Sequence, residues 1–474
     1  MHFHFSTVVW GPWHTQVFLD VNLPSLLTPN NLPAFAAQHQ VSYRILTAED
    51  DIPRIKASPG FQHASKIVPF ELIPCSVEHP AGPIAMHHML WRRSIDEARD
   101  AGAMILFVPP DVVWSNGALG HVADLATQGK KAIFMTYMRV VSETCVPEVR
   151  RRLTAADGVT IDASSRDLVE LSLQYIHPLT LTYQRDSQNF PIHPEFILWR
   201  VPGEGFLMRV LVREMFAYDP ARFDLNEQAL LASAPDPKEV HYITDSDKLF
   251  ALSLAPALKD LNWYSRRQKF DPLKVGSWWL TYDSPANDLV ASHYFRIHRS
   301  DCTPEKWRRA EMESDIVINR LKGAREALRV LAAAPADRAR HVRQILMLAL
   351  SETKLALRLH RRVPFTVLLP RNADVVRWLC EEGEDLLKAR PANGLVDLIL
   401  DHVVIDRIVL KQGEPATLRT ASGGTRQLTW MGGTALIDDV PVERQGFLLA
   451  RDQRSRRESI GYLVERVLPR SRRD

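Results

Sequence analysis

Apolar runs of strand length alternate with amphipathic stretches of helix length over roughly the first 140 residues. Five runs rich in Val, Ile, Phe and Tyr predict strands over 5–11, 41–47, 66–74, 103–109 and 130–138. The stretches between them predict helices over 14–27, 49–57, 84–101 and 117–128. Such alternation is typical of a mostly parallel sheet covered by helices, so the pattern predicts a Rossmann-like α/β fold.

The pattern after residue 140 is less regular. We interpret 140–300 as the second half of the same domain, carrying long loops. A helical region covers 304–333, and apolar positions on one helix face follow at Val342, Ile345, Leu346, Ala349 and Leu350. From about residue 405, Gly pairs separate short runs of strand character. The predicted organisation is an α/β domain over 1–300, a helical connector over 301–337 and an α+β module over 338–470.

Composition narrows the class of protein. A chain of 474 residues with 46% apolar and 24% charged residues is typical of a soluble globular protein with more than one domain. The net charge of +3 provides no strong field for nucleic acid or a membrane surface, so we expect neither as a partner.

Cysteine spacing and hydropathy bear on the compartment. The four cysteines lack a C-x-x-C pair, which argues against a zinc site and a disulfide framework and fits a reducing compartment. No apolar run reaches membrane-spanning length. The sequence therefore predicts a cytoplasmic protein without a membrane span.

Four segments of the C-terminal part carry a resemblance. They are "PFTVLLPRNADVVRWL" (364–379), "LVDLILDHVV" (395–404), "ATLRTASGG" (416–424) and "IGYLVERVLP" (460–469). In this order they resemble a fasciclin (FAS1) domain, with Asp401 where that family usually has Tyr. The resemblance implies a wedge-shaped β-sandwich that binds glycan or a protein partner and does not imply catalysis. We interpret His402 as a buried, hydrogen-bonded structural residue.

A lone carboxylate follows the fourth predicted strand. Asp111 comes directly after the apolar run, and Ser115-Asn116-Gly117 leads from it into a helix. Open α/β sheets bind ligands where the carboxyl ends of their strands meet helix N-termini, so Asp111 lies at a predicted binding edge. The alternative is that Asp111 is a turn or capping residue before that helix.

The N-terminal segments carry a second resemblance. The strand and loop "TVVWGPWHTQ", an early helix, and a fourth strand ending in Pro109-Pro110-Asp111 before Ser-Asn-Gly-Ala-Leu resemble a GT-A glycosyltransferase. In that family the fourth strand closes on Asp-x-Asp, whose last carboxylate holds Mn²⁺ or Mg²⁺ against a nucleotide-sugar diphosphate. The resemblance implies a nucleotide-sugar donor and gives Asp111 a metal-binding and catalytic role. Pro109 stands at the place of the first Asp.

A second acidic pair provides further candidate metal ligands. Asp245 and Asp247 follow another strand-like run in "HYITDSDKLF". In an extended backbone both carboxylates would point the same way. If the two strand ends are neighbours, Asp111, Asp245 and Asp247 form one acidic pocket for a divalent ion. A solvated turn is the alternative.

Other side chains are candidates for substrate contacts. Trp10, Trp13 and His14 occupy the first strand-to-helix loop, where they could stack on a base or sugar. His298, flanked by two arginines, could contact phosphate, and Asn116 lies beside the predicted binding edge.

A candidate general base lies between two glycines. Glu204 is the residue in "VPGEGF", and a turn residue is the alternative.

Together these features predict a glycosyltransferase. It would move a sugar from a nucleotide-sugar donor to an acceptor hydroxyl, while the FAS1-like module binds glycan or protein. One alternative is a non-catalytic adhesion or interaction protein built on a degenerate glycosyltransferase-like scaffold. Another is a hydrolase or other transferase that uses the same acidic pocket.

Overall fold

The computed structural model describes residues 1–78, 80, 82–212, 216–223, 236–258, 268–332, 366–370, 400–405, 408, 410, 414–443, 447–451, 458–464 and 468. The chain divides into two compact units. Unit 1 comprises Met1–Phe270 and Tyr282–Asp315, and unit 2 comprises Asp271–Thr281 and Ile316–Asp474.

Strands and helices alternate through the first half of unit 1. The strands of unit 1 are β1 (His2–Val8), β2 (Gln40–Thr47), β3 (Phe70–Pro74), β4 (Met104–Phe107), β5 (Val112–Trp114), β6 (Ala132–Phe134), β7 (Met138–Val141), β8 (Phe196–Val201), β9 (Gly205–Val210), β10 (Ala217–Tyr218), β11 (Val240–Tyr242), β12 (Ala251–Ala255) and β13 (Phe295–His298).

The helices show the same alternation. The described helices are α1 (Pro12–Val17), a π-helix (Phe18–Asn22), α2 (Leu23–Leu26), α3 (Leu32–Gln38), a 3₁₀ turn (Glu49–Asp51), α4 (Ile52–Ala57), α5 (Pro59–Ala64), α6 (Pro83–Asp100), α7 (Ala118–Thr127), α8 (Ser142–Leu153), α9 (Ser165–Gln174), α10 (Pro178–Thr182), α11 (Pro272–Leu280), α12 (Pro285–Val290) and α13 (Pro304–Ala332). Of these, α11 and the part of α13 from Ile316 onward belong to unit 2. Among the residues described, no helix is both long and apolar enough to cross a membrane.

The four early helix predictions are confirmed, and the strand predictions are confirmed with three corrections. The strand predicted over 5–11 is β1, which runs from His2 to Val8, and Gly11 already caps α1. The predicted strand over 66–74 begins only at Phe70, because backbone bonds from Lys66, Ile67 and Val68 back to α5 form a turn. The predicted strand over 130–138 is two strands, since β6 ends at Phe134 and β7 begins at Met138.

A seven-stranded, mostly parallel sheet forms the centre of unit 1. Its order is β11-β6-β10-β4-β1-β2-β3. β1 pairs in parallel with β2 and β4, β2 with β3, and β11 with β6. The short β10 is antiparallel to both β4 and β6, so the other six strands all run the same way. Their carboxyl ends therefore share one edge of the sheet.

The sheet is buried on both faces because its residues alternate between two apolar clusters. In β1, Phe3 and Phe5 pack on one face with Phe35 and Tyr43. In β4, Ile105 and Phe107 join the other face, while Met104 and Leu106 join the first. Burial on both faces explains the nearly continuous apolar runs that marked these strands in the sequence.

Two three-stranded sheets complete unit 1. One has the order β5-β12-β7 and the other β13-β9-β8. In the first, Leu254 N donates to Asp111 O over 2.7 Å, and Phe250 O accepts from Ser115 N. These two bonds extend the antiparallel ladder of β5 and β12, the first at its Asp111 end and the second at its Ser115 end.

The described strands of unit 2 form one eight-stranded sheet. They are β14 (Thr366–Pro370), β15 (Val403–Val404), β16 (Ala416–Arg419), β17 (Thr425–Met431), β18 (Thr434–Ile437), β19 (Val440–Val442), β20 (Phe447–Arg451) and β21 (Glu458–Val464). Strands belonging to all four fasciclin-like segments lie in this sheet. The periodic helix face predicted at 342–350 lies outside the described residues.

Two polar side chains are structural in unit 2. His402 is 2% exposed, and its Nε2 accepts a bond from Leu468 N over 3.0 Å, as expected of a structural residue. The guanidinium of Arg426 is fully buried and pairs with Asp438 at 2.6 Å. Breaking such a buried pair leaves an uncompensated charge, so these contacts specify the packing of this sheet.

Candidate functional site

The order of the central sheet places a topological switch point between β1 and β4. From β1 the chain proceeds to β2 and β3 on one side, then returns to β4 on the other side of β1. The loops that follow β1 and β4 therefore diverge in opposite directions at their shared edge. In open α/β sheets, ligands bind in the crevice at this point. We refer to the residues after β1, β2 and β4 at this point, together with the α6 residues packed against them, as the switch-point crevice. They are Trp10, Gly11, Trp13, His14, Asp51, His87, Trp91 and Asp111.

A glycine and an aspartate fix the first wall of the crevice. Gly11 adopts φ +82°, in the region that favours glycine, and starts α1 two residues after Val9. Its backbone N–H donates to Asp51 Oδ2 over 2.8 Å, which ties the loop after β1 to the 3₁₀ turn that follows β2. The bond orients the loop that carries Trp10 and Trp13.

Aromatic rings from α6 pack against this loop. Trp10 makes an edge contact with His87 at 6.1 Å between ring centroids, and His87 contacts Trp91 at 4.4 Å. Trp13 makes an edge contact with His14 at 4.6 Å. Burial, with a smaller effect of neighbouring histidines, lowers the pKa of His87 to about 4, so this imidazole is neutral at pH 7.

The loop after β4 is held rigidly, yet its carboxylate is unpaired. Asn22 of the π-helix donates to the carbonyl oxygens of Pro109 over 2.9 Å and Val112 over 2.6 Å. Asp111 lies between these two anchors and is half-buried. In the part of the chain that the structure describes, its carboxylate has no hydrogen-bond or ion-pair partner. The hydrogen-bonding capacity of this carboxylate is therefore left for water, a cation or a ligand.

Asn116 lies further along the same segment. Its Nδ2 donates to Asp162 Oδ1 over 2.8 Å, and its backbone N–H donates to Ala163 O over 2.7 Å. Its buried Oδ1 accepts no bond from the described residues. The side chain therefore anchors the start of α7 and keeps one acceptor open.

Asp245 and Asp247 lie on the same edge of the sheet as Asp111 but not beside it. They follow β11, and β10 and β6 separate β11 from β4. Three strand spacings of about 4.8 Å place the two strand ends roughly 14 Å apart. The strand ends are therefore not neighbours. The condition under which Asp111, Asp245 and Asp247 were predicted to form one acidic pocket is not met.

The structure instead brings Asp245 and Asp247 together with His298. One ligand atom from each of the three lies within 4.8 Å of the others. An isolated bridge between Asp245 and Arg296 aligns the loop after β11 with β13. His298 is 2% exposed, whereas Asp247 faces solvent. We refer to these three residues as the Asp-Asp-His group.

The hydrogen bonds of His298 determine what its ring can bind. Nδ1 lies 2.7 Å from Ser300 O, and because a carbonyl oxygen can only accept, Nδ1 carries the proton. Nε2 lies 2.9 Å from Asp245 Oδ1. Two arrangements satisfy that contact: a second ring proton, or a cation between the nitrogen lone pair and the carboxylate. The second is the usual orientation of a metal-bound histidine.

Asp247 is compensated by an arginine that the sequence did not single out. Arg166 of α9 makes two bonds to Asp247, at 3.0 and 2.7 Å, and also contacts Asp301. These bonds from Arg166 lower the pKa of the Asp247 carboxyl, with smaller contributions from neighbouring positive charges. The Asp247 backbone N–H donates to Asp245 Oδ1 over 2.9 Å. The pair is thus held in a tight turn.

Glu204 lies in the tight hairpin between β8 and β9. It is 5% exposed, and its carboxylate contacts the Ser300 hydroxyl and the Lys306 ammonium. The Lys306 bond is the main cause that lowers the pKa of Glu204, followed by the Ser300 bond. These contacts join the hairpin to α13. Both carboxylate oxygens are therefore engaged in structural contacts.

The sequence predicted residues of both sites but not all of their partners. The crevice brings Trp10, Trp13, His14 and Asp111 to one edge. The Asp-Asp-His group joins the predicted pair of Asp245 and Asp247 to His298, which had been predicted separately as a phosphate contact. Asp51, His87, Trp91 and Arg166 were missed. Asp51 follows β2, so the rule that strand ends carry ligand residues could have found it. Nothing local distinguishes Arg166.

Comparison with known proteins identifies no family. No protein-family model and no curated protein matches the chain. Among solved structures, the crystal structure of S. aureus TarS matches with 11% sequence identity over 95% of this chain and 63% of that chain. The chain thus spans less than two thirds of that protein. The TM-score of 0.26 is too low for this likeness to carry an argument about fold or activity.

Proposed function

We propose that unit 1 is a glycosyltransferase that moves a sugar from a nucleotide-sugar donor to an acceptor hydroxyl. The observation that carries this proposal is Asp111, an unpaired, half-buried carboxylate at the switch-point crevice. A rigid loop presents it, since Asn22 holds the backbone on both sides. The GT-A resemblance gives the fourth strand's last carboxylate the same position.

The crevice offers two chemistries suited to such a donor. Trp10 and Trp13 are half-buried and pack partly against the apolar core, and the exposed His14 ring beside Trp13 can contact a base or sugar. Asp111 would ligate a divalent ion, because Mg²⁺ is commonly held by one or two carboxylates together with substrate phosphates. Bound there, Mn²⁺ or Mg²⁺ would neutralise the charge that develops on the departing diphosphate.

The Asp-Asp-His group fits a second cation. Two carboxylates and one imidazole nitrogen lie within ligand distance of one another, and the His298 tautomer leaves Nε2 able to donate its lone pair. Asp245 and His298 would hold the ion, while Arg166 competes for Asp247. We propose this group as a metal site distinct from Asp111.

The general base for the acceptor hydroxyl is not Glu204 in this proposal. Its two oxygens contact Lys306 and Ser300, and its lowered pKa makes it a weak base. Glu204 instead holds the β8–β9 hairpin against α13.

Within unit 2, we propose that the fasciclin-like module over 338–470 binds the acceptor glycan or a protein partner. The four sequence segments support this, together with the position of β14 in the sheet, antiparallel to β15 and parallel to β21. Binding by the isolated unit can be measured on a glycan array.

A thermal-shift screen tests the proposed activity. Nucleotide sugars are added with and without Mn²⁺ to the full chain and to the Asp111→Asn variant. A specific donor stabilises the protein by about 2.7 kcal/mol at a hundred times its Kd. We expect a metal-dependent shift in the wild type and none in the variant. Asp124→Asn, an exposed position on α7, is the matched control.

The screen also separates the alternatives. Absence of any shift across the donors would favour the non-catalytic interaction protein, for which Pro109 in place of the first Asp is the supporting feature. If the donor-induced thermal shift is the same in Asp111→Asn as in the wild type, Asp111 does not bind the donor, and the donor site lies elsewhere in the chain.

A further inference from the structure

A cavity of about 720 Å³ opens beside the switch-point crevice in unit 1. Its walls come from α1 and the π-helix after β1, from α4 and α5 after β2, and from the end of α8 with the following loop. A volume of this size is in the range of sites for small-molecule ligands. The cavity is separate from the Asp-Asp-His group, since none of those three residues lines it.

The loop wall of the cavity is built rigidly. The Asp157 carboxylate accepts bonds from the backbone N–H groups of Val159 and Thr160, each over 2.9 Å, and from the Thr160 hydroxyl. A bridge between Thr154 and Ile161 closes the loop, and Ile161 N donates to Pro24 O over 3.1 Å. The wall is therefore fixed against the helices that face it.

Positive charge predominates on the lining. Three arginines, Arg54, Arg150 and Arg151, line the cavity, against one carboxylate, Asp20. Arg54 contacts neutral groups, the Pro12 carbonyl and the Gln16 side chain.

The three arginines differ in whether a carboxylate neutralises their charge. Arg151 pairs with Glu148 at 2.8 Å. Among the described residues, neither Arg54 nor Arg150 has a carboxylate partner. The lining thus keeps two guanidinium groups whose charge no side chain neutralises.

We propose that this cavity binds a phosphoryl group. The planar guanidinium fork suits the oxygens of phosphate, and two uncompensated forks in one cavity match its double charge. The Ser58 hydroxyl on the same lining can add a hydrogen bond. Anion binding in this cavity does not depend on the proposed function; only its assignment to the donor diphosphate rests on it. The phosphoryl group belongs either to the donor diphosphate, given the adjoining loop after β1, or to a phosphorylated second substrate.

Titration of the full chain with inorganic phosphate by calorimetry, at constant ionic strength set with chloride, tests the proposal. We expect saturable binding that weakens at least about tenfold in Arg54→Gln and in Arg150→Gln. Arg152→Gln is the matched control: it lies on the same helix, pairs with Glu148, and does not line the cavity. Its affinity should stay within about twofold of wild type.

A variant that is expected to bind phosphate more tightly provides a further control, because a misfolded variant would not gain affinity. Asp20→Asn removes the one like charge on the lining and should tighten phosphate binding about threefold. Equal affinities in wild type, Arg54→Gln and Arg150→Gln, or no saturable binding by the wild type, would overturn the proposal.

A competition arm separates the two sources. Phosphate is titrated in the presence of saturating UDP, GDP or ADP. Displacement by a nucleoside diphosphate assigns the cavity to the donor, and undiminished phosphate binding assigns it to a second substrate. Both results require the arginine dependence above.

Discussion

Two groups of polar side chains share one edge of the unit 1 sheet and differ in how far their hydrogen-bonding capacity is used. In the Asp-Asp-His group, each member already contacts another group: His298 contacts Asp245 and Ser300, and Asp247 contacts Arg166. At the switch-point crevice, Asp111 has no partner among the described residues although its backbone is held on both sides. A cation at the Asp-Asp-His group would have to replace existing contacts, whereas a ligand at Asp111 would not.

Neutralising Asp111 should have the largest effect on ligand binding and the smallest on stability. Because the carboxylate has no partner in the free protein, Asp111→Asn should change the free energy of unfolding by less than about 0.5 kcal/mol. The same change should remove one protein ligand of the divalent ion and so weaken donor binding about a hundredfold, or by about 2.7 kcal/mol. Urea denaturation measures the first quantity, and donor titration the second. A loss of several kcal/mol in stability would show that Asp111 is structural.

Neutralising Asp245 should instead lower both stability and metal binding. Asp245→Asn weakens the contact with His298, so we expect a loss of about 1–3 kcal/mol in the free energy of unfolding. It should also abolish Mn²⁺ binding at this group, measured from the electron paramagnetic resonance signal of free Mn²⁺. Retained Mn²⁺ affinity in this variant would rule out the group as the metal site.

The neutral histidine of the crevice predicts acid sensitivity. Burial lowers the pKa of His87 from its usual 6.5 to about 4, so below pH 6.5 the unfolded chain binds more protons. The stability contributed by neutral His87 is complete above pH 6.5 and is lost as pH falls towards 4. We expect a loss of about 1–2 kcal/mol, after allowance for partial exposure.

The comparison with a variant isolates this effect. His87→Gln removes the titrating group, so its melting temperature should fall less between pH 6.5 and 4 than that of the wild type. Parallel melting curves for the two proteins across this window would contradict the assignment.

Removing Arg166, which pairs with Asp247 of the Asp-Asp-His group, should have only a small effect on stability. Arg166 and Asp247 are partly exposed, so Arg166→Gln should cost about 0–1 kcal/mol. Because Arg166 competes for Asp247, its loss should raise the pKa of that carboxyl towards its usual value and strengthen Mn²⁺ binding severalfold. Weaker Mn²⁺ binding in this variant would show that Arg166 orients the ligands.

The sequence predicted which segments form strands better than it predicted which strands lie side by side in the sheet. Strands such as β1 and β4 are buried on both faces, so their apolar runs are nearly continuous and easily found. The two-residue β10 has no such signal, yet it lies between β4 and β6 and sets the distance between Asp111 and Asp245. Strand order depends on contacts between distant segments, which local pattern does not encode.

The same reasoning applies to the candidate site. The position of Asp111 at a strand end followed from the apolar run before it. The association of Asp245 with His298 did not, because it depends on a bridge between Asp245 and Arg296, far apart in the chain. The pairing of Glu204 with Lys306 was likewise hidden, since a helix that follows much later supplies the lysine.

Calorimetric titration of the best nucleotide-sugar donor, in the presence of Mn²⁺, tests the central claim most directly. Wild type, Asp111→Asn and Asp124→Asn are compared at one pH and ionic strength. We predict that donor affinity falls about a hundredfold in Asp111→Asn and is unchanged in Asp124→Asn. Equal donor affinity in all three proteins would contradict the claim that the carboxylate at the switch-point crevice holds the donor.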